Sequence, residues 1–175
     1  MMGARPINDI AVTFDIDGFG FISTRKDTLT RNEFKELLDL SEWNSKVLVL
    51  FNINLRNVDL SNMEINFVNF INGDFTNTSF NGSSLKCVLF DRSFMFKSTF
   101  SESELMHVVF SKSNVSHAMM NGIELSDVRF VEGTNMFGIT TDSNGLDHLL
   151  RSDCRDTIHA EITSIDIGLK LIKGN

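Results

Sequence analysis

Residues 65–90 read INFVNFINGDFTNTSFNGSSLKCVLF, with an apolar residue at every fifth position. The same spacing holds without insertion from Leu50 to Phe130, over seventeen positions. An α-helix repeats at 3.6 residues and a strand at 2, so neither element accounts for a period of five. The pattern predicts a chain that turns a corner after every fifth residue. The apolar positions are Leu50, Leu55, Leu60, Ile65, Phe70, Phe75, Phe80, Leu85, Phe90, Met95, Phe100, Leu105, Phe110, Val115, Met120, Leu125 and Phe130.

A second register lies two residues before the first and carries no charged or aromatic side chain from Leu48 to Val128. It consists of aliphatic residues, Met, Gly, Ser and Thr. The fifteen charged residues between Leu48 and Glu132 all fall in the other three registers. We therefore expect two positions in each five to face inward and three to face outward.

Three segments resemble the motif A-(D/N)-L-x-x of the pentapeptide-repeat family: VDLSN at 58–62, GDFTN at 73–77 and IELSD at 123–127. The Ala that usually opens the motif occurs only at Ala118, and Val and Ser replace it elsewhere. The resemblance implies an all-β solenoid, a right-handed quadrilateral β-helix with four pentapeptides in each coil. The sequence supports this coil length independently, because residues 68, 88, 108 and 128 are all valine.

These patterns divide the chain into three parts. Residues 48–132 are predicted to form a β-helix of about four coils, with rings stacked at the strand spacing of about 4.8 Å. The ends of a solenoid expose unpaired edges and core, so they need caps. Residues 1–47 are expected to form a small α+β N-terminal cap. Residues 133–175 are expected to form a mainly helical C-terminal capping segment.

The N-terminal cap is predicted to begin with a β-hairpin. Val12, Phe14 and Ile16 alternate along one strand, and Asp17-Gly18 is a strong signal for a two-residue hairpin turn. The hairpin is therefore expected to cover residues 10–23.

A short helix is predicted to follow the hairpin. Thr30 with Glu33 forms a capping box, which opens a helix from Arg31 to about Leu40. This helix should bury Phe34, Leu37 and Leu38. Trp43 is expected to seal the junction with the first coil.

The period fails after Phe130, because Asn135 stands where an apolar residue belongs. A short helix is plausible at 146–152. A second, from about Thr157, is indicated by Ile158, Ile162, Ile165, Leu169 and Ile172 at spacings of four and three. The alternation of Ile165, Ile167, Leu169 and Leu171 indicates a strand as the alternative.

Composition narrows the classes of partner and compartment. A net charge of −7 argues against direct binding of a nucleic-acid backbone, which needs a basic stripe. Cys87 and Cys154 are too few for a disulfide framework, so a reducing compartment is the default. No apolar run approaches the roughly 18 residues of a membrane span, and no Sec-type signal peptide is visible. The expected location is the bacterial cytoplasm before export by another route.

Residues 14–18, FDIDG, resemble the D-x-D-G motif of haloacid-dehalogenase phosphatases, in which the first Asp is the nucleophile. That fold needs an alternating α/β domain downstream, whereas this chain continues as a β-helix, and the hairpin explains the same residues. Read as a calcium loop, the segment places Phe19 and Lys26 where oxygen ligands are required. We therefore expect no catalytic or calcium site here.

His107 and His117 occupy outward corners and are interpreted as surface histidines, without ligand-spaced neighbours in the sequence. Cys87 shares a corner column with His107, and a Cys–His pair can activate a nucleophile. A convex surface offers it no cleft. We expect no cofactor, no metal and no enzymatic activity.

Outward positions are mostly polar, and their main exceptions cluster. A patch of this kind on a solenoid marks a packing or binding surface. The alternatives are a cover formed by the C-terminal segment, pairing of two chains as a homodimer, and a partner protein. The predicted partner-binding residues are Phe51, Ile71, Leu89, Val109 and Val131 on one face, with Phe94 and Phe96 on the next.

The layout of a non-repeat segment followed by repeats resembles bacterial type III secretion effectors of the PipB and EspX groups. This resemblance implies a non-enzymatic adaptor that docks on a host protein. The first alternative is a DNA mimic that binds gyrase, as in the Qnr and MfpA branch, which needs a continuous acidic face. Between Leu48 and Glu132 nine acidic residues stand against six basic ones, which is a thin surplus. The second alternative is an intracellular scaffold.

Overall fold

The computed structural model describes residues 3–6, 10–16, 19–131, 133–143, 145 and 164–165. Within these residues the helix is α1 (Arg31–Trp43). The strands are β1 (Gly3–Pro6), β2 (Val12–Ile16), β3 (Phe19–Ser23), β4 (Val47–Phe51), β5 (Glu64–Asn66), β6 (Val68–Ile71), β7 (Ser84–Lys86), β8 (Leu89–Asp91), β9 (Glu104–Met106), β10 (Val109–Ser111), β11 (Glu124–Ser126), β12 (Arg129–Val131), β13 (Thr140–Thr141) and β14 (Ser164–Ile165).

The chain is a right-handed quadrilateral β-helix, as the five-residue pattern predicts. Parallel pairing joins each residue to the one twenty positions later, as in Leu50 with Phe70 and Phe110 with Phe130. We name the four faces by their inward centres in the first coil: the first face at Leu50, the second at Leu55, the third at Leu60 and the fourth at Ile65. An eight-stranded sheet, β1-β2-β3-β4-β6-β8-β10-β12, contains the first face, and the order β11-β9-β7-β5 forms the fourth.

Stacked phenylalanine rings fill the interior. Phe70, Phe90, Phe110 and Phe130 stack in one column with centroid distances of 5.1, 5.2 and 4.7 Å. A second stack joins Phe80 and Phe100 at 4.8 Å. The seventeen predicted inward centres are all buried except Leu125, which is half-buried in the last coil. The inward assignment is therefore confirmed.

Buried hydroxyl groups in the second register pair with backbone groups. Ser83 Oγ donates to Leu60 O at 2.8 Å, Ser103 Oγ to Phe80 O at 2.7 Å and Ser113 Oγ to Phe90 O at 3.0 Å. Burying a hydroxyl without a partner would cost free energy. These bonds explain why serine is accepted inside the coil.

Each corner requires a left-handed backbone. Positive φ recurs at every fifth residue from Asn52 to Asp127, mostly between 50° and 60°, and returns at Gly133 and Gly138. Asn and Gly adopt this conformation at the least cost and occupy about half of these corners. Asn ladders connect successive coils, since Asn72 Nδ2 donates to Asn52 Oδ1 at 3.3 Å and Asn77 Nδ2 to Asn57 Oδ1 at 3.1 Å.

The predicted hairpin is present as β2 and β3, which pair antiparallel with Ile16 opposite Phe19. Strand β3 then pairs in parallel with β4, placing Phe21 beside Val47 and Ile22 beside Leu48. The cap and the first face therefore share one continuous sheet.

Helix α1 begins with the predicted capping box between Thr30 and Glu33 and ends three residues later than predicted, at Trp43. It buries Phe34, Leu37 and Leu38 as expected. The expectation for Trp43 is wrong, because its side chain is 88% exposed. Nine residues separate Trp43 from Phe34, which rotates it by about 180° around the helix to the solvent side.

The coil continues past residue 132, where the five-residue pattern places its end. One extra residue shifts the pairing by a single position, so Asn135 lies beside Asn114 and Thr140 beside Met119. Met136 and Ile139 are buried in the shifted register, and Thr134 Oγ1 donates to Phe110 O at 2.9 Å. Asn135 therefore follows a one-residue insertion and occupies an outward position in a further partial coil.

The predicted helix at 146–152 lies outside the described residues, and so does most of the segment from Thr157. Within that segment the structure describes Ser164–Ile165, which form β14 and pair in parallel with β13. This pairing favours the strand alternative at those two positions, because the last coil otherwise leaves unpaired backbone groups at its edge.

Candidate functional site

Outward side chains form straight columns because every coil repeats the same corner geometry. On the first face, the outward column before the centre contains Asn69, Leu89, Val109 and Arg129. The column after the centre contains Phe51, Ile71, Asp91, Ser111 and Val131. Neighbours in a column lie at the strand spacing of about 4.8 Å.

The predicted residues on this face are all accessible, but they form separate groups. Phe51 is adjacent to Ile71, and Leu89 is adjacent to Val109. Two polar side chains, Asp91 and Ser111, lie between Ile71 and Val131 in the same column. They are joined to each other, since Ser111 Oγ donates to Asp91 Oδ1 at 3.0 Å. The apolar surface therefore extends over the first four coils, from Phe51 to Val109, and does not reach Val131.

The N-terminal hairpin enlarges this surface, which the sequence did not show. The rings of Phe14 and Phe21 stack at 5.0 Å, and Phe21 approaches Phe51 at 6.4 Å. Val49, on the same outer side of β4, is almost fully buried. We call Phe14, Phe21, Phe51, Ile71, Leu89 and Val109 the apolar sheet face. The pairing of β3 with β4 brings Phe21 to this face. The sequence pattern does not predict which strand pairs with β4, so it did not predict the contribution of Phe21.

Phe94 and Phe96 belong to a different cluster on the second face. Phe94 is 58% exposed. The ring of His117 lies edge-on between Phe96, at 5.4 Å, and Phe137, at 5.5 Å. The Lys97 ammonium lies 5.3 Å from the Phe96 ring centroid. We call Phe94, Phe96, His117 and Phe137 the aromatic corner; the exposed corner side chains of Arg92 and Lys112 separate it from the apolar sheet face.

Ionic contacts lie at the corner between the fourth and first faces. Nδ1 of His107 lies 2.8 Å from Oδ2 of Asp127, and Arg129 approaches the same carboxylate at 3.3 Å. The hydrogen bond from His107 is the main cause that holds the pKa of Asp127 below its usual range. The sequence carries the signal for this pair, because its members lie twenty residues apart in one corner column, as Cys87 and His107 do. His107 therefore contacts a carboxylate, and Cys87 is an exposed free thiol in the same corner column.

Among the residues that the structure describes, no group of three or more His, Cys, Asp or Glu side chains could hold a metal ion. Asp15, the first Asp of the FDIDG segment, lies opposite Gly20 in the hairpin ladder. Within the same residues, no helix has the length and apolar character of a membrane span.

The third face is a hydrogen-bonded polar wall. Ser61 Oγ lies 2.6 Å from Ser79 Oγ, and Thr99 Oγ1 donates to Ser79 Oγ at 3.3 Å. Asn81 Oδ1 accepts from the Ser101 backbone at 2.9 Å. Polar groups that already form hydrogen bonds with their neighbours gain little free energy from binding a partner. The third face is therefore the polar surface with which the apolar surfaces are compared.

Comparison with protein families identifies the repeat. Residues 49–88 match the family model for pentapeptide repeats with eight copies. These residues span the first two coils of the β-helix. No curated protein sequence matches the chain significantly.

Several solved structures resemble parts of the chain. One is HetL, a pentapeptide repeat protein involved in heterocyst differentiation regulation from the cyanobacterium Nostoc, at 15% identity over 53% of this chain and 48% of HetL (TM-score 0.41). Another is full-length QnrB1, a plasmid-mediated fluoroquinolone resistance protein, at 16% identity over 66% of this chain and 70% of QnrB1 (TM-score 0.43). Rfr23 from the cyanobacterium Cyanothece shares 22% identity over 55% of this chain and 58% of Rfr23 (TM-score 0.33). The match spans about half the length of HetL.

Proposed function

We propose that this chain is a non-enzymatic protein-binding scaffold that acts as an adaptor, exported by a bacterial type III system to dock on a host protein. The observation that carries the binding role is the apolar sheet face. Contiguous exposed apolar surface on a soluble protein marks an interaction site more often than isolated apolar residues do.

The rigidity of the coil supports this role. The apolar side chains project from strands that are hydrogen-bonded on both sides, so little backbone entropy is lost when a partner binds. Aromatic side chains are enriched at interfaces because they bury large areas with few rotatable bonds. Phe21 and Phe51 provide such anchors on the sheet face, and Phe94 provides one at the aromatic corner.

The effector role rests on the arrangement of the chain. A hairpin and a helix precede the repeats, which is the layout expected of PipB-like and EspX-like effectors. The cap is continuous with the coils through β3 and β4, so the full chain would dock as one unit. In this proposal the protein resides in the bacterial cytoplasm before export.

A capture experiment tests the binding role. Purified full-length protein is immobilised, and host-cell proteins retained on it are identified and then re-tested as purified partners. Two double variants locate the binding surface. Ile71→Glu with Leu89→Glu should no longer retain a partner that binds the apolar sheet face. Phe94→Glu with Phe96→Glu should no longer retain a partner that binds the aromatic corner. The matched control, Asn121→Glu with Ser126→Glu, adds the same charge to polar positions and should retain it. Equal retention by all variants would reject the apolar surfaces as the binding site.

A translocation reporter fused to the full chain tests the effector role. Signal in host cells should depend on a functional type III apparatus in the bacterium. Signal of equal strength from an apparatus-deficient strain would reject this role. If the immobilised protein captured a bacterial protein instead of a host protein, this result would favour the alternative function of an intracellular scaffold.

The gyrase-binding alternative depends on an acidic face. The outward column of the fourth face reads Glu64, Ser84, Glu104 and Glu124, with Lys86 on the same face. Its carboxylates are interrupted, which is unlike the continuous phosphate charge of duplex DNA. A supercoiling assay tests it: inhibition or protection of gyrase at micromolar protein would favour this alternative over the adaptor.

A further inference from the structure

The N-terminal end of the solenoid is covered on three of its four faces. On the first face β3 pairs with β4. On the second, Thr28 forms a parallel bridge with Asn54. On the third, the Arg31 guanidinium donates to Asp59 O at 2.6 Å and to Ser61 O at 2.8 Å. These contacts satisfy carbonyl and amide groups that a preceding coil would otherwise pair.

The fourth face has no such cover in the described part of the chain. Strand β5 is the edge of its sheet and pairs only with β7. One coil before β5, residues 44–46 would supply the neighbouring strand, but they form the turn that ends α1. Ser45 N donates to Glu42 O and Lys46 N to Ser41 O, both at 2.9 Å. The strand of a preceding coil that would pair with β5 is therefore missing at this face among the described residues.

The open edge presents specific backbone groups. Ser84 N donates to Met63 O and Phe67 N to Lys86 O, both at 2.9 Å, so the groups of alternate residues point toward β7. Backbone groups in a strand alternate between its two edges. The amide and carbonyl of Glu64 and of Asn66 consequently point away from β7, toward the open side.

A groove of about 710 Å³ borders this edge. The C-terminal half of α1 and the start of β4 form its far wall, and Leu38 and Met63 give it an apolar floor. This volume lies within the range of about 300–1,000 Å³ that is usual for ligand clefts. The groove is therefore large enough for an extended segment of a few residues.

Two further features of the groove indicate a missing partner. Asn66 Oδ1 is buried without a hydrogen-bond partner among the described residues, and a buried acceptor of this kind is destabilising. Phe67 lines the rim and is 57% exposed, although it is a large aromatic side chain. Phe67 could pack on an incoming segment.

The charges of the groove favour a basic segment. Lys35 pairs with Asp39 at 2.7 Å, and Arg31 is engaged by the third-face carbonyls. The Lys46 ammonium is directed toward Gly20 of β3. Among the described residues Glu42, Glu64 and Lys46 form no ion pair, so two unpaired carboxylates stand against one unpaired ammonium and the unpaired charge of the lining is negative by one.

We propose that this groove binds an extended, basic peptide segment of a partner protein, which adds to β5 in the place of a strand from a coil before the first. Main-chain bonds to Glu64 and Asn66 supply the affinity, as in other cases of strand addition. A lysine or arginine lies beside Glu64, an apolar residue above Ile65 covers the end of the core, and a donor side chain reaches Asn66 Oδ1. This site is separate from the apolar sheet face and does not depend on the adaptor proposal.

Synthetic peptides of five residues, acetylated and amidated, test the proposal on the full-length protein. One alternates lysine with valine, a second replaces each valine with proline, and a third replaces each lysine with glutamate. Affinity is measured by titration, and hydrogen exchange of the Glu64 and Asn66 amides is followed by NMR. The lysine–valine peptide should bind and slow exchange at both amides. The proline and glutamate peptides should bind at least about tenfold more weakly.

Glu64→Lys should weaken the lysine–valine peptide about tenfold. Glu104→Lys is the matched control, because it occupies the same outward column two coils away on a strand paired on both sides, and should leave the affinity unchanged. The amide readout on the unsubstituted protein decides the question even if a variant fails to fold.

The experiments with the peptides give four outcomes that would overturn the proposal. They are failure of the lysine–valine peptide to bind, equal affinity of the proline peptide, unchanged exchange at Glu64 and Asn66, and equal effects of the two charge reversals. Slow exchange at these amides in the protein alone would also overturn it. If the protection of these amides did not depend on protein concentration, the occupant of the groove would be a segment of this chain. If the protection increased with protein concentration, the occupant would be a second copy of the chain.

Discussion

The rings of Phe90 and Phe110 are almost parallel, with an interplanar angle of 6° and a centroid distance of 5.2 Å, although twenty residues separate them in sequence. Their column begins at Phe34 of α1, whose ring lies 5.8 Å from Phe70, and ends at Phe130. The helix of the cap and the coils therefore share one core, so a change in the column should affect both.

Replacing Phe90 with alanine should destabilise the protein by about 3–5 kcal/mol. The ring contacts Phe70 and Phe110 in its own stack and Phe75 and Phe80 across the coil. Its loss leaves a cavity that rigid neighbouring coils cannot close. Denaturant unfolding measures the change. Phe94→Ala removes the same ring from the surface and should cost far less; an equal loss for both would contradict the assignment of the interior.

Ser83→Ala should lower the free energy of unfolding by about 1–3 kcal/mol. Its hydroxyl donates to Leu60 O at 2.8 Å and accepts from Met63 N at 3.1 Å, so alanine leaves two backbone groups without this partner. Ser126→Ala, at an exposed position, is the control and should be nearly neutral. Thermal unfolding of the two variants tests the role of the buried hydroxyl ladder. A neutral Ser83→Ala would show that the ladder contributes nothing to stability.

Gly82→Ala should destabilise the protein by about 1–2 kcal/mol, because residue 82 has a φ of +64° and a side chain there adds the strain of a left-handed corner. The same corner column also allows the reverse change, in which a residue with a side chain is replaced by glycine. Glu102 has a φ of 59°, so Glu102→Gly should relieve strain and shift the midpoint of thermal unfolding upward or leave it unchanged. Opposite signs for the two variants are the expected result. A stabilising Gly82→Ala would refute the corner argument.

Acidification should weaken the N-terminus of α1 through Glu33. Hydrogen bonds from Lys26 and from the Thr30 backbone lower the pKa of Glu33 from 4.5 to about 2. Since the folded protein favours the carboxylate, the stabilisation is complete above about pH 4.5 and is lost as the pH falls toward 2. Glu33→Gln keeps an acceptor but cannot titrate.

The midpoint of thermal unfolding, measured against pH for both proteins, isolates this contribution from that of other carboxylates. The difference between wild type and Glu33→Gln should shrink between pH 4.5 and 2. A difference that stays constant over this range would show that the lowered pKa does not contribute to stability.

The candidate binding surface was predictable only in part. All seven predicted residues are accessible, since the in–out alternation of a five-residue repeat is a local property of the chain. The sequence also places Phe94 and Phe96 on a different face from the other five, but the residues that complete the apolar sheet face and the aromatic corner were not predictable. Phe21 joins the first group through the pairing of β3 with β4, and Phe137 joins the second through a one-residue shift after Val131. Both events depend on contacts between distant segments.

The sequence by itself determined the coil, its inward residues, the hairpin and the start of α1. Each of these follows from a short-range rule, namely the alternation of side chains, the demands of a corner and the capping of a helix. Tertiary structure alone decided the further partial coil after residue 132 and the open edge at β5. These features depend on how backbone hydrogen-bonding groups at the ends of a solenoid find partners, and many arrangements of the flanking segments share the same local patterns.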